Sequence, residues 1–498
     1  MERRAKIMAT LGPASTREDV LRQLIHAGVD LIRLNLSHGT QDEHRKTVHL
    51  IRRVAAEESC QLPIVMDLMG PRYRLGQIPG GLRNLERGEH VVLGARQDDP
   101  GILPVDPEIL EHLEPGERVL IDSGLIELRV EAKEGERVTA EVINGGPVKN
   151  RKGINLPDTS LPFDISEKDR SDIAFAVAEG ADYLAASYVG EASHIEAIRE
   201  VVTAAGGRIP LVAKLERATA LEHLDDITEA ADGIMVARGD LGVEVPLHTV
   251  PVLQKKIVAA GRRAGKPVIV ATQMLESMVE QPRPTRAEAT DVANAVFDGA
   301  DALMLSGETA AGKYPVEAVA TMARIILTAE EYALQDREAR SAERPSLHPL
   351  GDVHARRTYQ LDPSAHDSAL YEPSLDVPDM VSAAAVYAAD QLQVSRIVAY
   401  SQSGFTARLT ARYRPRAPIV AFTPEEEVAR QLQLVWGVRP LVVGADVGSL
   451  DDVVSVVERQ LLEAGLAAPG ERIIILMGHP IRERPLTNLM RVHRIRQS

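Results

Sequence analysis

Short apolar runs alternate with stretches of helical period, and this rhythm constrains the fold more than any other feature of the sequence. The apolar runs cover residues 6–11, 31–35, 63–68, 182–188, 210–216, 233–237, 267–273 and 302–306. Between them lie helical patterns such as 17–27, 41–57, 194–204, 248–264, 286–297 and 315–328. Eight βα units in succession predict a closed (β/α)₈ barrel of the TIM type.

The third unit of this rhythm is interrupted, and the rhythm resumes near the C-terminus. Between residues 70 and 155 short alternating segments separated by Gly, Pro and Asp turns predict an inserted small β domain, a β-barrel closing over the main one. The barrel domain then comprises residues 1–69 and 156–334. Residues 335–378 are polar and aperiodic, which is typical of a linker or surface excursion. Residues 379–498 predict a separate open α/β domain of about five strands.

Composition excludes several classes of function. The chain has 57 Lys and Arg against 72 Asp and Glu, a net charge of −15, so we expect neither a nucleic-acid partner nor an anionic membrane surface. Its single cysteine, Cys60, cannot form an internal disulfide, which favours a reducing cytoplasm. No signal peptide and no bilayer-spanning apolar run is expected.

Charged side chains stand where two neighbouring strands end. Lys214 and Glu216 close one apolar run, and Asp240 follows the next. Polar residues at the carboxyl ends of barrel strands line the face where such folds do chemistry. Two carboxylates there form a hard-oxygen site suited to Mg²⁺, and an adjacent ammonium suits phosphoryl transfer. The alternative is that Lys214–Glu216 and Arg238–Asp240 are surface ion pairs.

Several long motifs together resemble the pyruvate kinase family, and the resemblance is colinear over nearly the whole chain. The segments are residues 6–15 (KIMATLGPAS), 33–39 (RLNLSHG), 152–157 (KGINLP), 214–216 (KLE), 237–242 (ARGDLG), 271–278 (ATQMLESM) and 305–310 (LSGETA). The resemblance implies transfer of the phosphoryl group of phosphoenolpyruvate to ADP, giving pyruvate and ATP at the last step of glycolysis. It also implies a homotetramer.

The same resemblance assigns roles around the substrate. Glu216 and Asp240 would hold Mg²⁺, for which Mn²⁺ can substitute. Lys214 and Arg33 would stabilise the phosphoryl group in transit, with Ser187 nearby. Cations at the equatorial oxygens are what a metaphosphate-like transition state requires. The turn at Gly239 and Asp240 opens onto a helix whose N–H groups could receive the substrate carboxylate.

Thr272 and Ser306 end the seventh and eighth strands. In the family such residues relate to protonation of the enolate carbon, through ordered water. The alternative is that both hydroxyls cap the helices that follow them, a common task for such side chains.

Residues on the nucleotide side are implied by the resemblance as Arg33, Asn35, His38, Arg74 and Lys152. His38 taken alone is more typical of a hydrogen-bonded structural histidine than of a proton carrier. The inserted domain would close over the nucleotide and exclude water.

The third strand departs from the family pattern. Where the family commonly has Asp-Thr-Lys-Gly-Pro-Glu-Ile-Arg, this chain has Asp67-Leu68-Met69-Gly70-Pro71-Arg72-Tyr73-Arg74. Many members bind K⁺ near that Glu, through residues matching Asn35, Ser37 and Asp67, and Leu68 here removes a hydroxyl. The Arg72 guanidinium would supply the charge that K⁺ brings and would repel a second cation. We therefore expect no K⁺ requirement. The alternative is that Arg72 points to solvent and K⁺ still binds.

One loop of the C-terminal domain resembles the effector site of regulated pyruvate kinases. Its residues are Ser401, Gln402, Ser403, Gly404, Phe405 and Thr406. Hydroxyls and N–H groups at a strand-to-helix turn suit an anion, and so this loop predicts a phosphorylated sugar or nucleotide effector. The last loop, residues 478–485, offers two arginines, Arg482 and Arg484.

Two other functions are compatible with parts of the sequence. A metal-dependent lyase of the phosphoenolpyruvate/pyruvate barrel group would also place Glu and Asp on Mg²⁺, but it would need neither the inserted domain nor residues 33–38. A catalytically silent metabolite sensor would not need Lys214, Glu216, Asp240, Arg33 and Thr272 together.

Overall fold

The structure is a computed structural model that describes residues 2–96, 98–159, 161–342, 376–444, 449–481 and 486–496. No helix within these ranges is both long enough and apolar enough to cross a bilayer.

Eight parallel strands close into a barrel, as the sequence predicts. They are β1 (Lys6–Thr10), β2 (Leu31–Asn35), β3 (Ile64–Asp67), β12 (Tyr183–Ala186), β13 (Leu211–Leu215), β14 (Gly233–Ala237), β15 (Val268–Ala271) and β16 (Ala302–Leu305). The barrel closes where β1 pairs with β16, with Lys6 opposite Ala302. Met8, Val65 and Met235 fill its interior. A larger apolar cluster lies between the strands and the surrounding helices.

Helices follow most barrel strands and cover its outside. They span Glu18–Ala27, Gln41–Glu57, Glu167–Ala178, Ala192–Ala204, Thr219–Glu222, Leu224–Ala230, Arg238–Glu244, Val250–Arg263, Arg286–Asp298, Gly307–Ala310 and Pro315–Ala342. Two begin with a capping box, Thr40 with Glu43 and Thr285 with Glu288, which satisfies N–H groups that the helix itself cannot pair.

The last barrel helix is longer than its apolar period predicts. The pattern weakens after residue 328, yet the helix continues to Ala342. The extension is rich in Ala, Glu and Arg, which are strong helix formers. Residues 335–342 of the predicted linker are therefore helical, and residues 343–375 lie outside the described ranges.

A second group of strands follows β3 in the chain, and we call it the insert, with the predicted bounds of residues 70–155. Its strands are β4 (Leu82–Leu85), β5 (His90–Gly94), β6 (Ile102–Pro104), β7 (Arg118–Ile121), β8 (Ile126–Glu134), β9 (Arg137–Asn144), β10 (Gly146–Lys149) and β11 (Ile154–Asn155), with one helix at Pro107–His112. Six form a mixed half-barrel sheet, while β4 and β10 form a separate pair. The insert has a hydrophobic core of its own, which includes Leu93, Val119 and Leu128.

The C-terminal domain is an open α/β sheet in the order β19-β18-β17-β20-β21. The strands are β17 (Arg396–Tyr400), β18 (Ile419–Thr423), β19 (Val438–Val442), β20 (Arg472–Met477) and β21 (Leu489–Arg494), and the helices are Val377–Leu392, Phe405–Ala411, Glu426–Leu432 and Leu450–Glu463. Four strands are parallel, but β21 runs antiparallel to β20. β21 is not predicted by the sequence, because its residues alternate between half-buried and exposed and form no apolar run.

The C-terminal domain docks against the N-terminal ends of the barrel strands. Arg430 donates to buried Asp182 at 2.6 Å, and the Tyr183 hydroxyl donates to the Gln431 carbonyl at 2.9 Å. Leu434 packs into the barrel interior cluster from this side. The opposite end of the barrel, where the strands end, is therefore left for the insert and for the candidate site.

Candidate active site

Lys214 lies at the centre of a polar cluster at the carboxyl ends of the barrel strands. Its Nζ is 2.6 Å from Ser187 Oγ, 2.8 Å from Glu216 Oε1 and 3.2 Å from Asp67 Oδ1. Burial alone would lower the pKa of Lys214, but the carboxylates of Asp67 and Glu216 outweigh it and raise that pKa. The ammonium is therefore charged and is held in one position by three partners.

Asp67 joins two cations. Besides Lys214 it accepts a 2.6 Å hydrogen bond from Arg33 Nε, while Arg33 Nη1 donates to Thr10 Oγ1 at 3.1 Å. Burial opposes ionisation of Asp67, yet Lys214 and Arg33 hold its pKa below the usual range. Neighbouring strands position the pair, because Arg33 and Asp67 stand near the ends of β2 and β3, which lie side by side in the barrel.

Glu216 and Asp240 form the candidate metal site. Glu216 is 2 % exposed and accepts the Tyr188 N–H at 2.7 Å. Burial raises the pKa of Glu216 and Lys214 opposes this, while the nearby Asp240 carboxylate raises it further. Two acids whose charges disfavour each other in a buried site fit a divalent cation, which would remove that repulsion.

Few protein side chains are available as ligands for a metal ion at this site. Within the described ranges no group of three or more His, Cys, Asp or Glu side chains is arranged to hold a metal. A cation between Glu216 and Asp240 would therefore use few protein ligands, as Mg²⁺ does when substrate oxygens and water complete its shell.

The surface ion-pair interpretation is wrong for both pairs. Lys214 and Glu216 do form an ion pair, but their side chains are only 11 % and 2 % exposed, at the mouth of the barrel. Arg238 pairs with Asp291 at 2.7 Å and not with Asp240. Its guanidinium binds both carboxylate oxygens of Asp291, on the helix Arg286–Asp298.

Thr272 stands in a strained turn at the end of β15. Its φ is +70° and that of Gln273 is +54°, a region that a β-branched residue rarely adopts. Thr272 Oγ1 accepts the Gly239 N–H at 2.7 Å and donates to the Ala271 carbonyl at 2.6 Å. The hydroxyl thus bonds to the first turn of the helix Arg238–Glu244 and does not cap the helix that follows Thr272. The Gly239 N–H, predicted to receive a substrate carboxylate, already has this partner.

Ser306 follows β16 and does not act as a side-chain cap. Its hydroxyl makes no capping hydrogen bond to the helix Gly307–Ala310. Instead its N–H donates to Glu308 Oε2 at 2.7 Å, and Glu308 Oε1 accepts the Leu275 N–H at 3.0 Å. The fully buried Glu308 therefore ties the loops after β15 and β16 together.

Of the predicted nucleotide-side residues, Arg33 alone contacts the Lys214 cluster through Asp67. Asn35 Oδ1 accepts the Ser37 N–H at 3.1 Å, and His38 is exposed in the same loop. Arg74 donates to the Arg151 carbonyl at 3.1 Å, and Lys152 pairs with Asp122 at 2.8 Å. The last two lie where the chain enters and leaves the insert.

The segment predicted to replace a K⁺ site is divided between core and surface. Leu68 is buried, and its carbonyl accepts the Ser187 hydroxyl at 2.9 Å. Arg72 is exposed, and its N–H donates to the Gly70 carbonyl at 2.9 Å, but its guanidinium makes no hydrogen bond or ion pair with the described part of the chain. Its guanidinium lies over Gly153, where an added Cβ would be 3.5 Å from Nη2.

The predicted effector loop is a tight turn. Gly404 has a φ of +73°, and Arg408 Nη2 donates to the Ser403 carbonyl at 2.9 Å. Thr406 Oγ1 is 2.8 Å from Thr487 Oγ1. Of the last loop, residues 482–485 lie outside the described ranges, and with them the predicted Arg482 and Arg484.

Two residues at the site were not predicted from the sequence to belong to it. Arg238 Nη2 donates to the Thr272 carbonyl at 2.7 Å, so it holds the strained turn. Tyr188 has a φ of +58° and offers its N–H to Glu216. Arg238 did stand at a strand end, a signal that could have marked it, but no sequence feature reveals the backbone angle of Tyr188.

Comparisons with known proteins point to the same family over nearly the whole length of the chain. The family model for the pyruvate kinase barrel domain matches residues 2–319, and that for the pyruvate kinase alpha/beta domain matches residues 379–493. A pyruvate kinase of Methylorubrum extorquens is 42% identical over 98% of this chain and 97% of its own length. One from Mycobacterium tuberculosis is 40% identical over 99% of both. A pyruvate kinase structure from Cryptosporidium parvum has a TM-score of 0.87 at 32% identity, covering 99% of this chain and 96% of that one.

Proposed function

The chain belongs to the pyruvate kinase family, and on this basis we propose that it transfers the phosphoryl group of phosphoenolpyruvate to ADP, giving pyruvate and ATP. The observation that carries this proposal is the buried Lys214 ammonium, fixed by Asp67, Glu216 and Ser187 at the mouth of the barrel. A fixed cation in a water-poor site is what a phosphoryl group needs as it passes between oxygens.

Lys214 and Arg33 supply the positive charge of the first step. Arg33 is oriented by Asp67 and Thr10, so its guanidinium is ordered before substrate binds. Glu216 and Asp240 would hold Mg²⁺, or Mn²⁺ in its place. That ion would supply neutralisation of the negative charge on the bound substrate.

The second step converts the enolate of pyruvate to the ketone, and it needs a proton on carbon. Thr272 and Ser306 stand at adjoining strand ends, and we assign them to this step through ordered water. The Thr272 hydroxyl would donate to that water in place of the Ala271 carbonyl, while it continues to accept the Gly239 N–H.

ADP is assigned to the side of the barrel mouth formed by Arg33, Asn35, His38, Arg74 and Lys152. Arg74 and Lys152 lie at the junction with the insert. Closure of the insert would bring them towards the phosphates and exclude water.

One coupled assay tests the function against its alternatives. With phosphoenolpyruvate, Mg²⁺, NADH and lactate dehydrogenase, a kinase releases pyruvate only when ADP is present, and lactate dehydrogenase then oxidises NADH as it reduces that pyruvate. A lyase of the related barrel group would release pyruvate without ADP, and a silent sensor would release none. Either of those results would contradict the proposal.

We further propose that turnover requires Mg²⁺ but not K⁺. Asp67, one of the expected K⁺ ligands, is already paired with two cations, and Arg72 adds a permanent charge on the adjoining loop. The measurement is the initial rate at saturating Mg²⁺ in tetramethylammonium buffer, with and without KCl. We expect less than ~10-fold activation, equivalent to ~1.4 kcal/mol of barrier.

Two variants distinguish the role of Arg72 from that of exposed charge in general. Arg72→Glu should make the enzyme respond to KCl, and the control Arg87→Glu, an exposed change in the insert, should not. Activation of the unaltered enzyme beyond that limit would contradict the proposal and favour the alternative that K⁺ still binds beside the exposed Arg72.

Regulation and assembly are proposed at a coarser level. The 401–406 loop would bind the phosphate of a sugar or nucleotide effector, and calorimetry with such phosphates, alongside kinetics, tests this. A homotetramer in the cytoplasm is the expected form, and sedimentation equilibrium tests the assembly.

A further inference from the structure

Glu244 is a buried carboxylate at the end of the helix that carries the candidate metal ligand Asp240. It is 5 % exposed and is the last residue of the helix Arg238–Glu244. Residues four apart on a helix lie on the same side, so Glu244 and Asp240 face the same way. Neither step of the proposed reaction uses Glu244, yet glutamate is almost never buried in this way unless it is paired. Its partners therefore indicate what it does.

The insert contacts the barrel at this carboxylate. Asn155, the last residue of β11 and of the insert, donates from Nδ2 to Glu244 Oε1 at 3.0 Å. Gly124 of the insert lies against the same helix, since a Cβ added there would be 3.5 Å from Val243 Cγ1. The insert is therefore attached to two neighbouring residues at the end of the helix Arg238–Glu244.

The loop that follows the other candidate metal ligand, Glu216, also faces Glu244. Burial raises the pKa of Glu244, whereas the nearby Arg217 guanidinium and Ala218 N–H favour its charged form. Arg217 Nη2 also donates at 3.2 Å to the carbonyl of Thr159, just beyond the end of the insert. The segments that carry both candidate metal ligands therefore meet the exit of the insert around one carboxylate.

The two segments that connect the insert to the barrel are paired with each other. Arg74 forms an antiparallel bridge with Gly153, and the Leu75 N–H donates to the Lys152 carbonyl at 2.9 Å. The exit segment cannot shift without moving the entry segment as well. The contact at Asn155 therefore also positions Arg74 and Lys152, the two residues of the insert assigned to ADP.

We infer that Glu244 is a positioning residue, the common anchor of the insert and of the two segments that carry the candidate metal ligands. The inference rests on the proposed function, since it takes Glu216 and Asp240 as the metal ligands and the insert as part of the ADP site. Glu244 holds the nucleotide-side residues of the insert at a fixed distance from those ligands. Phosphoryl transfer requires this alignment, because the protein contributes mainly position and charge.

Two variants of the full-length protein separate the two connections of Glu244. Asn155→Leu keeps the volume but removes the donor, so the KM for ADP should rise ~10-fold, the worth of a hydrogen bond to a charged group, with the KM for phosphoenolpyruvate unchanged. It should leave unchanged the affinity for Mn²⁺ alone, titrated by electron paramagnetic resonance. Glu244→Met removes both connections, so it should raise the KM for ADP and also weaken Mn²⁺ binding at least ~10-fold. The matched controls Asn84→Leu and Glu136→Met, both exposed in the insert, should change none of these values.

A reversed pair distinguishes the hydrogen bond from packing. Asn155→Asp combined with Glu244→Gln puts the carboxylate on the insert and the amide on the helix. The amide nitrogen can then donate across the contact, while its oxygen still faces the Ala218 N–H, and the net charge is that of the parent. We expect both the KM for ADP and the Mn²⁺ affinity to remain close to the parent values. This pair decides the test if Glu244→Met does not fold.

Three outcomes would overturn the inference. They are an unchanged KM for ADP in Asn155→Leu, unchanged Mn²⁺ binding in Glu244→Met, or a reversed pair as impaired as Asn155→Leu. The last would show that Asn155 and Glu244 matter only for packing. If the parent protein transfers no phosphoryl group at all, the proposed function fails instead. The Mn²⁺ titrations need no turnover, so they still decide whether Glu244 positions the metal ligands.

Discussion

Charges of opposite sign alternate at the mouth of the barrel, from Arg33 through Asp67 and Lys214 to Glu216. Asp67 pairs with both Arg33 and Lys214, and Glu216 pairs with Lys214, so the contacts that order the site also raise the pKa of Lys214 and keep it charged. Removing one member therefore affects both catalysis and stability, and the two effects have to be measured separately.

Lys214→Met should lower turnover by at least ~10²–10³-fold, the cost of removing one preorganised stabiliser of transition-state charge. It also leaves Asp67 and Glu216 buried with less compensation, so the melting temperature should fall. The coupled assay and thermal unfolding measure these effects. Lys313→Met, which alters an exposed ion pair, is the control and should change neither. Unaltered turnover in Lys214→Met would contradict the proposed mechanism.

Arg238→Lys should lower kcat by about 10²-fold, because the strained turn carrying Thr272 would shift by a fraction of an ångström. Lysine cannot contact Asp291 and the Thr272 carbonyl together as the guanidinium does. The KM for phosphoenolpyruvate and kcat should be measured separately, with the exposed change Arg286→Lys as control. A change confined to thermal stability would show that Arg238 is structural only.

The site residues that could be predicted from the sequence are those that stand at the ends of barrel strands. Lys214, Glu216 and Asp240 follow apolar runs, so their place at the barrel mouth follows from the fold alone. The pairing of Arg238 with Asp291, 53 residues apart, depends on how a helix packs and has no local signal. The positive φ of Thr272 is likewise imposed by its surroundings, against the preference of its side chain.

At the scale of elements, the buried parallel strands were predictable from the sequence. The exposed edge strand and the end of the last barrel helix were not. All eight barrel strands lie within two residues of their predicted ends, because runs of aliphatic residues mark them. The edge strand β21 was missed because half of its residues face solvent. The end of the helix Pro315–Ala342 was misplaced, since helix propensity continues after the apolar period stops.

The last barrel helix holds the start of the chain in place through hydrogen bonds to Glu330. Its carboxylate accepts the N–H groups of Arg4 and Ala5 at 2.9 and 2.7 Å, and burial raises its pKa above 4.5. A raised carboxyl pKa means that the folded state favours the neutral form. This contribution to stability is complete below pH 4.5 and is lost as the pH rises through the raised pKa.

Glu330→Gln is neutral at every pH and should therefore gain stability relative to the parent as the pH rises from 4.5 to 8. The gain is about 1.4 kcal/mol for each pH unit between the unfolded and folded pKa values. Thermal unfolding across this range measures it, with the exposed neighbour Glu331→Gln as control. A constant difference between Glu330→Gln and the parent would show that Glu330 is ionised throughout.

In the whole molecule, the two ends of the barrel have different roles. The C-terminal domain covers one end through contacts such as Arg430–Asp182 and Arg414–Asp301. The insert stands beside the other end, where Lys214 lies. The division into barrel, insert and α/β domain followed from changes of period along the sequence. The face on which the C-terminal domain docks did not, because its contacts join residues remote in sequence.

The pairing of Lys6 with Ala302 has a consequence for biosynthesis. A nascent chain cannot close the barrel until residue 302 has left the ribosome, whereas β8 and β9 of the insert adjoin each other in sequence and pair early. Until then the apolar sheet remains open, which exposes it to chaperones and to aggregation. Pulsed hydrogen exchange during refolding should protect amides of β8 and β9 before those of β1 and β16. The reverse order would contradict this sequence of events.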